Sequence, residues 1–449
     1  MKDPAFTYLQ KRSMHRAWPW ITGNLRAAGL MQAVVIPVLA ESASLFHTLK
    51  DLAANPPELL EKTLVLCVVN NRQPELAGES DCGDNENTLG ILPDFAADHP
   101  DLHLAWIDAA SEGRELGPKD GVGLARKIGL DWALGLLRQS DATTNGTLIS
   151  LDADTRVDPD YFGAIHDFFQ SAPRWAAVVD YAHPVEGPDE KVRAILSYEL
   201  FLRYQELAWN FAGSPYAYPA IGSTMICTSA AYVASGGMNR RQAGEDFYFL
   251  QQLAKTGRVD RIRSSVVIPS GRASHRVPFG TGRTVGNFPA AEDDAYLTYH
   301  PGTWRILQAW LQVVEEYLDA PGEAWMHEAE RVDPELAAWL AAQDFPAAWE
   351  RIRSHCKNPA QRRSQFHGGF DAFRTLKLTH HLRDHGYPRQ NLFEALGTVM
   401  TRQRMAPPEA PGPALRDDVP GQRALLAALR GWRAQPEGFS HENGNPAPV

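Results

Sequence analysis

Four short apolar runs, each closing on polar side chains, constrain this chain more than any other feature. They are QAVVIPVL at 32–39, TLVLCVVNN at 63–71, LHLAWID at 102–108 and GTLISLDAD at 146–154. Continuous runs of Val, Ile and Leu this short read as strands buried on both faces, not as amphipathic surface strands. A helical pattern at Leu45, Leu49 and Leu52 follows the first run and is closed by Asn55-Pro56-Pro57; GLARKIGLDWALGLL, 123–137, precedes the fourth. Residues 72–90, rich in Gly, Asp, Asn and Glu, read as a surface loop, and 111–123 as a second, Gly-rich one. This order opens an α/β sheet whose ligands sit at the carboxyl ends of the strands, where the strand order reverses. Asn70, Asp108, Asp152 and Asp154 fall at those ends.

Bulk properties narrow the class. At 449 residues the chain exceeds one average domain, and 44% hydrophobic with 22% charged residues is ordinary for a folded protein. A formal net charge of −10 argues against a general nucleic-acid binder, whose affinity comes mostly from neutralising phosphates. The four cysteines, Cys67, Cys82, Cys227 and Cys356, form neither a CxxC pair nor a disulfide framework and suit a reducing compartment. No secretory signal pattern and no run of about 18 apolar residues is present, so a cytoplasmic protein without a transmembrane segment is expected, with peripheral membrane contact left open. The expected divisions are an N-terminal segment at 1–29, a sheet domain at 30–290, a helical C-terminal extension of four or five helices at 291–433 and a disordered tail at 434–449. A Pro-rich linker is expected at 406–413.

Asp152-Ala153-Asp154 carries the first chemical signal. Two carboxylates at a strand end suit a hard divalent cation, Mg2+ or Mn2+, which takes a few protein oxygens and completes its shell from phosphates and water. Taken alone, the pair reads as readily as a helix cap, because Thr155-Arg156-Val157-Asp158-Pro159 follows.

Three segments in order change the weighting. Ile36-Pro37-Val38-Leu39-Ala40-Glu41, SLDADTRVDPDYF at 150–162, and GSTMICTSAAYVASGGMNRRQAGEDFYFLQQLAKTG at 222–257 together resemble family 2 glycosyltransferases, over roughly residues 30–280. The resemblance implies a GT-A fold, α/β with a Rossmann-like, mostly parallel sheet. It further implies transfer of a sugar from a nucleoside-diphosphate donor to a hydroxyl acceptor, by an inverting, metal-dependent mechanism. By resemblance, Asp246 is the general base and Glu245 orients it. Asp154 is the firmer metal ligand, with Asp152 either beside it or facing the donor's ribose or sugar, and His275 completes the metal site. Pro37 and Glu41 end the opening strand where relatives hold the ribose, and Asn70 stands where many relatives carry Asp, near the base. Asp108 is a further candidate for the base. Arg126 and Lys127 match a segment that faces the diphosphate or fixes the loop; a solvated helix face is the plainer reading for Lys127.

SGRASHRVPFGTGRTV, 270–285, carries Arg272, His275, Arg276 and Arg283 with several glycines and no helix signal, so a basic loop near the diphosphate is expected, Arg276 among its donor contacts. The Gln-x-x-Arg-Trp motif of processive, membrane-embedded relatives is missing. Two other functions compete: a sugar-phosphate nucleotidyltransferase, which usually needs a Gly-rich loop where PVLAES stands here, and a catalytically idle scaffold that binds a partner. Trp209, Tyr216 and Tyr218 are either core or sugar-stacking aromatics. His381 and His385 share a helix face at i, i+4 without an HExxH or cysteine partner and read as part of a basic surface helix.

Overall fold

The computed structural model describes residues 3–25, 27–140, 146–272, 281–288, 292–406 and 411–433. His275, Arg276, the expected tail at 434–449 and part of the Pro-rich linker lie outside them. The chain forms two compact units, one of residues 1–186 and 218–287, the other of residues 187–217 and 288–449.

The first unit is built on a nine-stranded sheet. Its strands are β1 (Ile21–Gly23), β2 (Gln32–Val38), β3 (Thr63–Asn70), β4 (His103–Ala109), β5 (Thr147–Ser150), β6 (Arg156–Val157), β7 (Ala176–Tyr181), β8 (Met225–Thr228) and β9 (Val259–Ile268). They lie in the order β1-β4-β3-β2-β5-β8-β7-β9-β6. β4, β3, β2 and β5 are parallel, and β8 runs antiparallel between β5 and β7. All residues of β2, β3, β5 and β7 are buried, as their unbroken apolar runs require. Pro37 fits inside β2 because β5 ends opposite Val35, leaving one edge of the strand without a donor to supply there.

The chain winds outward from β2 to β4 and then returns to the other side of β2 as β5. The reversal therefore lies between β2 and β5, whose carboxyl ends carry Glu41 and Asp152–Asp154. Parallel neighbours need crossover connections. Helices α1 (Pro4–Lys11), α2 (Ser42–Ala53), α3 (Glu79–Asp98), α4 (Val122–Gln139), α5 (Tyr161–Ser171) and α6 (Glu245–Thr256) surround the sheet, and α2, α3 and α4 make those crossovers.

The expected surface loop at 72–90 is instead largely helical, Pro74–Ala77 and then the first half of α3. α3 buries only Asn85, Thr88, Leu92 and Phe95, one narrow stripe, so apolar periodicity hardly marks it. Its polar residues serve the strand ends. The Asn85 amide accepts from the Ala40 N–H at 2.9 Å and donates to the Asn70 carbonyl at 3.0 Å, while Asp84 accepts from the Ser42 N–H and hydroxyl at 2.9 and 2.5 Å. The end of the 270–285 segment, expected without helix, instead enters a short helix, Thr281–Asn287, that buries Val285.

α4 is buried nearly all round, because α1 covers the side turned away from β2 and β3. Lys127 is consequently not on a solvated face: it is 6% exposed and pairs with fully buried Asp131 at 3.1 Å. Asp131 also accepts from the hydroxyls of Tyr8 and Tyr232, both at 2.8 Å, and from the Met14 N–H at 2.6 Å. Lys127 donates to the Tyr8 oxygen at 2.6 Å. Gly237, at φ +79°, lets Tyr8 in; a Cβ there would lie 1.9 Å from its hydroxyl. Tyr8→Phe should therefore lower unfolding free energy by about 1.5–3 kcal/mol, the usual worth of a hydrogen bond to a charged group, with an unchanged urea m-value. An unaltered urea midpoint would show that α1 is not fastened through this hydroxyl.

The second unit is helical. From Pro301 onward the described residues contain eight helices of nine residues or more, against the four or five expected: Pro301–Glu316, Gly322–Val332, Pro334–Ala342, Phe345–His355, Pro359–Gly369, Ala372–Asp384, Leu392–Arg402 and Val419–Gly431. Short breaks at Pro321, Asp333 and Asp344 divide what periodicity alone runs together. Trp310, Trp325, Trp349 and Phe366 fill its core, with Trp325 and Trp349 centroids 4.2 Å apart. The buried indole N–H groups of Trp325 and Trp349 reach the carbonyls of Tyr317 and Ala320 at 2.8 and 2.9 Å. Tyr216 belongs to this core, its hydroxyl on the His367 carbonyl, and is not a stacking platform. No described helix is long and apolar enough to cross a membrane.

Candidate functional site

The carboxyl end of β5 turns at once. The Thr155 N–H closes the turn on the Asp152 carbonyl at 3.2 Å, and Thr48 of α2 donates to the Ala153 carbonyl at 2.9 Å. Asp152 and Asp154 thus leave the sheet beside Glu41, which follows β2.

Arg126 organises the centre. It projects from the first turns of α4, is 2% exposed, and spreads its three nitrogens over three partners. Nε donates to Glu245 at 3.1 Å, Nη1 to the Ser150 hydroxyl at 2.5 Å, and Nη2 to Asp152. A planar fork can satisfy three directions that an ammonium could not. Gly222 makes room: a Cβ there would fall 2.3 Å from Arg126 Nη2. Neighbouring Ser223 donates to the other Asp152 oxygen at 2.5 Å and shares a hydrogen bond with Thr155 at 2.8 Å. Burial works against the charged guanidinium, but Asp152 and Glu245 more than offset it and hold Arg126 protonated.

Glu245 and Asp246 open α6 after Gly244, which caps it in the left-handed region at φ +68°. The dipole at a helix start favours ionised carboxylates. Here burial prevails. It pushes Glu245 up against the pull of Arg126, and burial together with the charge of Glu245 pushes Asp246 up to about 7, despite a 2.7 Å hydrogen bond from the Phe247 N–H. Asp246 is thus poised near neutrality, not firmly ionised as its helix position alone suggests.

Arg272, from the end of β9, places Nη2 on Glu41 and 3.1 Å from Asp154. Burial disfavours its charge, and the two carboxylates restore it. A cation therefore already rests where Glu41 and Asp154 converge.

Two other sequence candidates are engaged by the protein itself. Asn70 donates both amide hydrogens, to the Val38 and Val68 carbonyls at 3.0 Å each, and so ties the ends of β2 and β3. Asp108 accepts from the Ala110 and Ser111 N–H groups at 3.1 and 2.9 Å and from Arg114 at 2.6 Å. Burial raises it, but these donors prevail and hold it below the usual carboxylate range. The structure brings together Asp152, Glu245 and Arg126, and separately Glu41 with Asp154; Ser150, Gly222, Ser223 and the pairing of Arg272 with Glu41 and Asp154 were not foreseen. The glycine opening the 222–257 segment was the one available hint of Gly222's close approach.

No family model matches the chain, and no curated protein does. Among solved structures it is similar to TarS of S. aureus in complex with UDP-GlcNAc, at 12% identity over 89% of this chain and 90% of that one, TM-score 0.35. It is also similar to the mannosyltransferase PcManGT from Pyrobaculum calidifontis in complex with GDP-Man and Mn2+, at 14% identity over 82% and 95%, TM-score 0.34. GalNAc-T7 with UDP, GalNAc and Mn2+ gives 14% over 59% and 51%, TM-score 0.33. Likenesses this distant carry no argument about function; the α/β fold rests on this chain's own strand order.

Proposed function

We propose that the first unit is a glycosyltransferase that moves a sugar from a nucleoside-diphosphate-sugar donor to a hydroxyl acceptor, with inversion and with Mg2+ or Mn2+. One observation carries the reading: Arg126 joins Asp152, at the carboxyl end of β5, to Glu245 beside Asp246, so two carboxylate motifs distant in sequence share one site. A metal-and-diphosphate end and a proton-accepting end are what transfer to a hydroxyl needs.

In this reading Asp246 takes the proton from the acceptor hydroxyl, and its pKa near neutrality suits that work. Glu245, pinned by Arg126, keeps that pKa high and orients its neighbour. The carboxylate oxygens of Asp154 and Asp152 fit a hard cation, and the guanidinium already resting on Asp154 supports the attraction of positive charge there. Asp154 and Asp152 would hold the ion, which would neutralise diphosphate charge; His275 as a further ligand and Arg276 toward the diphosphate belong to the same proposal. Arg272 supplies positive charge beside the leaving group. Glu41 and Pro37 border the nucleoside. Asn70 would reach it through its amide oxygen, and Asp108 would shape the neighbouring loop.

Calorimetry with UDP and GDP, with and without Mn2+, tests the reading. Binding should require the metal and weaken at least about tenfold in Asp154→Asn, as loss of a ligand does. Absence of metal-dependent binding to either diphosphate would favour the idle scaffold. Hydrolysis of intact nucleotide-sugars without acceptor would then identify the donor.

A further inference from the structure

The helical unit holds a trio that the sequence pairs only in part. His381 lies in the last turn of helix Ala372–Asp384 and His385 caps it, their rings stacked at 4.1 Å and 22°. Glu335, in the first turn of helix Pro334–Ala342, meets His381 with its Oε2 3.2 Å from Nε2. One ligand atom from each residue lies within 4.8 Å of the others, and no other such trio occurs among the described residues. The partner missing from the i, i+4 histidine pair is thus a carboxylate from a different helix.

We propose that Glu335, His381 and His385 bind one divalent transition-metal cation, Zn2+ foremost, and that the ion fastens these two helices together. Two imidazoles and a carboxylate match the borderline-soft donor set of Zn2+ and not the all-oxygen set of Mg2+ or Ca2+. His385 is prepared for the role. Its Nδ1 lies 2.8 Å from the His381 carbonyl, an acceptor only, so Nδ1 carries the proton and Nε2 offers its lone pair. Fixing the tautomer through the second nitrogen is how protein metal sites orient their histidines. The donors stand somewhat wider than metal–ligand bonds of about 2.0–2.2 Å require. Binding therefore requires side-chain rotation to draw the donors together, with water completing the shell. Each of the three residues is at least partly exposed, which leaves the ion an entry path.

The test is Zn2+ titration of the chelator-treated full-length protein by calorimetry, beside the Glu335→Gln/His385→Ala double variant. Wild type should take up one Zn2+ that the double variant binds about a hundredfold more weakly, with millimolar Mg2+ not competing. Because the variant also loses the Glu335–His381 contact, the stability readout is the Zn2+-induced rise in Tm and not the Tm itself; that increment should appear in wild type and vanish in the variant. Equal Zn2+ affinity and equal increments in both proteins, or no uptake by wild type, would overturn the proposal and leave Glu335–His381 as an ordinary ion pair.

Discussion

Asp246→Asn should lower kcat by about 10²–10⁴-fold, the range lost with a general base, while metal-dependent diphosphate binding persists. In wild type, turnover should rise with pH through about 7, because the base must shed its proton and burial with the neighbouring Glu245 holds that proton to about 7. The same substitution should change stability with a definite sign. The carboxyl group titrates near 7 in the folded protein and near its ordinary 3.8 when unfolded, so the folded state binds the proton more tightly. Its contribution favours folding fully below about 3.8 and disappears as pH climbs through 7. At pH 8 the ionised group opposes folding, by an amount on the order of a few kcal/mol. Asp246→Asn should therefore raise Tm relative to wild type at pH 8 and gain far less at pH 4. An inactive variant with no such pH-dependent gain would mean that Asp246 is not buried in its charged form; a fully active one would end its assignment as base.

Arg126→Met should cost about 3–5 kcal/mol of stability, measured from urea midpoints, since it removes the cation from between two carboxylates of which Glu245 is buried. The methionine keeps the volume but none of the three hydrogen bonds. Arg126→Lys should recover only part of the loss, because one ammonium cannot reach Glu245, Ser150 and Asp152 together. Adding Glu245→Gln to Arg126→Met should restore some stability by removing the orphaned charge. Any remaining turnover should shift to higher pH, because the charge of Arg126 is among the influences holding Asp246 down. A loss below about 1 kcal/mol would show that Asp152 and Glu245 are solvated, which is the usual worth of an exposed ion pair.

The buried strands were legible because fully covered strands leave unbroken apolar runs, and the polar residues closing them marked the ligand end of the sheet. α3 was not legible: more than half its residues are Gly, Asp, Asn, Glu or Ser, and its burial rests on four side chains. Its existence was nonetheless implied by chain geometry, since β3 and β4 are parallel neighbours and a loop hairpin cannot join them. At the site, the residue types were readable but not their partners. Asn70 and Asp108 have the chemistry to hold a ligand, yet the Asn70 amide nitrogen and one Asp108 oxygen are spent on backbone close in space, and the other Asp108 oxygen on Arg114. Arg126 was readable as a site residue, whereas Lys127 beside it read as part of a solvated helix face. Adjacent positions on a helix point in different directions, so Arg126 reaches the carboxylates while Lys127 turns to Asp131. Glu335 could not be tied to His381 from spacing, because contact between separate helices depends on how they pack.

The buried Asp131 also sets an order for biosynthesis. Its partners Tyr8 and Met14 stand 123 and 117 residues before it, and Tyr232 stands 101 residues after it. At ordinary rates of translation the first helix emerges on the order of ten seconds before its anchor, and waits about as long again for the last hydroxyl. Through that interval Ala5 and Tyr8 of α1 lack the partners that bury them in the folded protein. Synthesis therefore delivers the fastening of α1 late, although α1 itself is made well before its anchor.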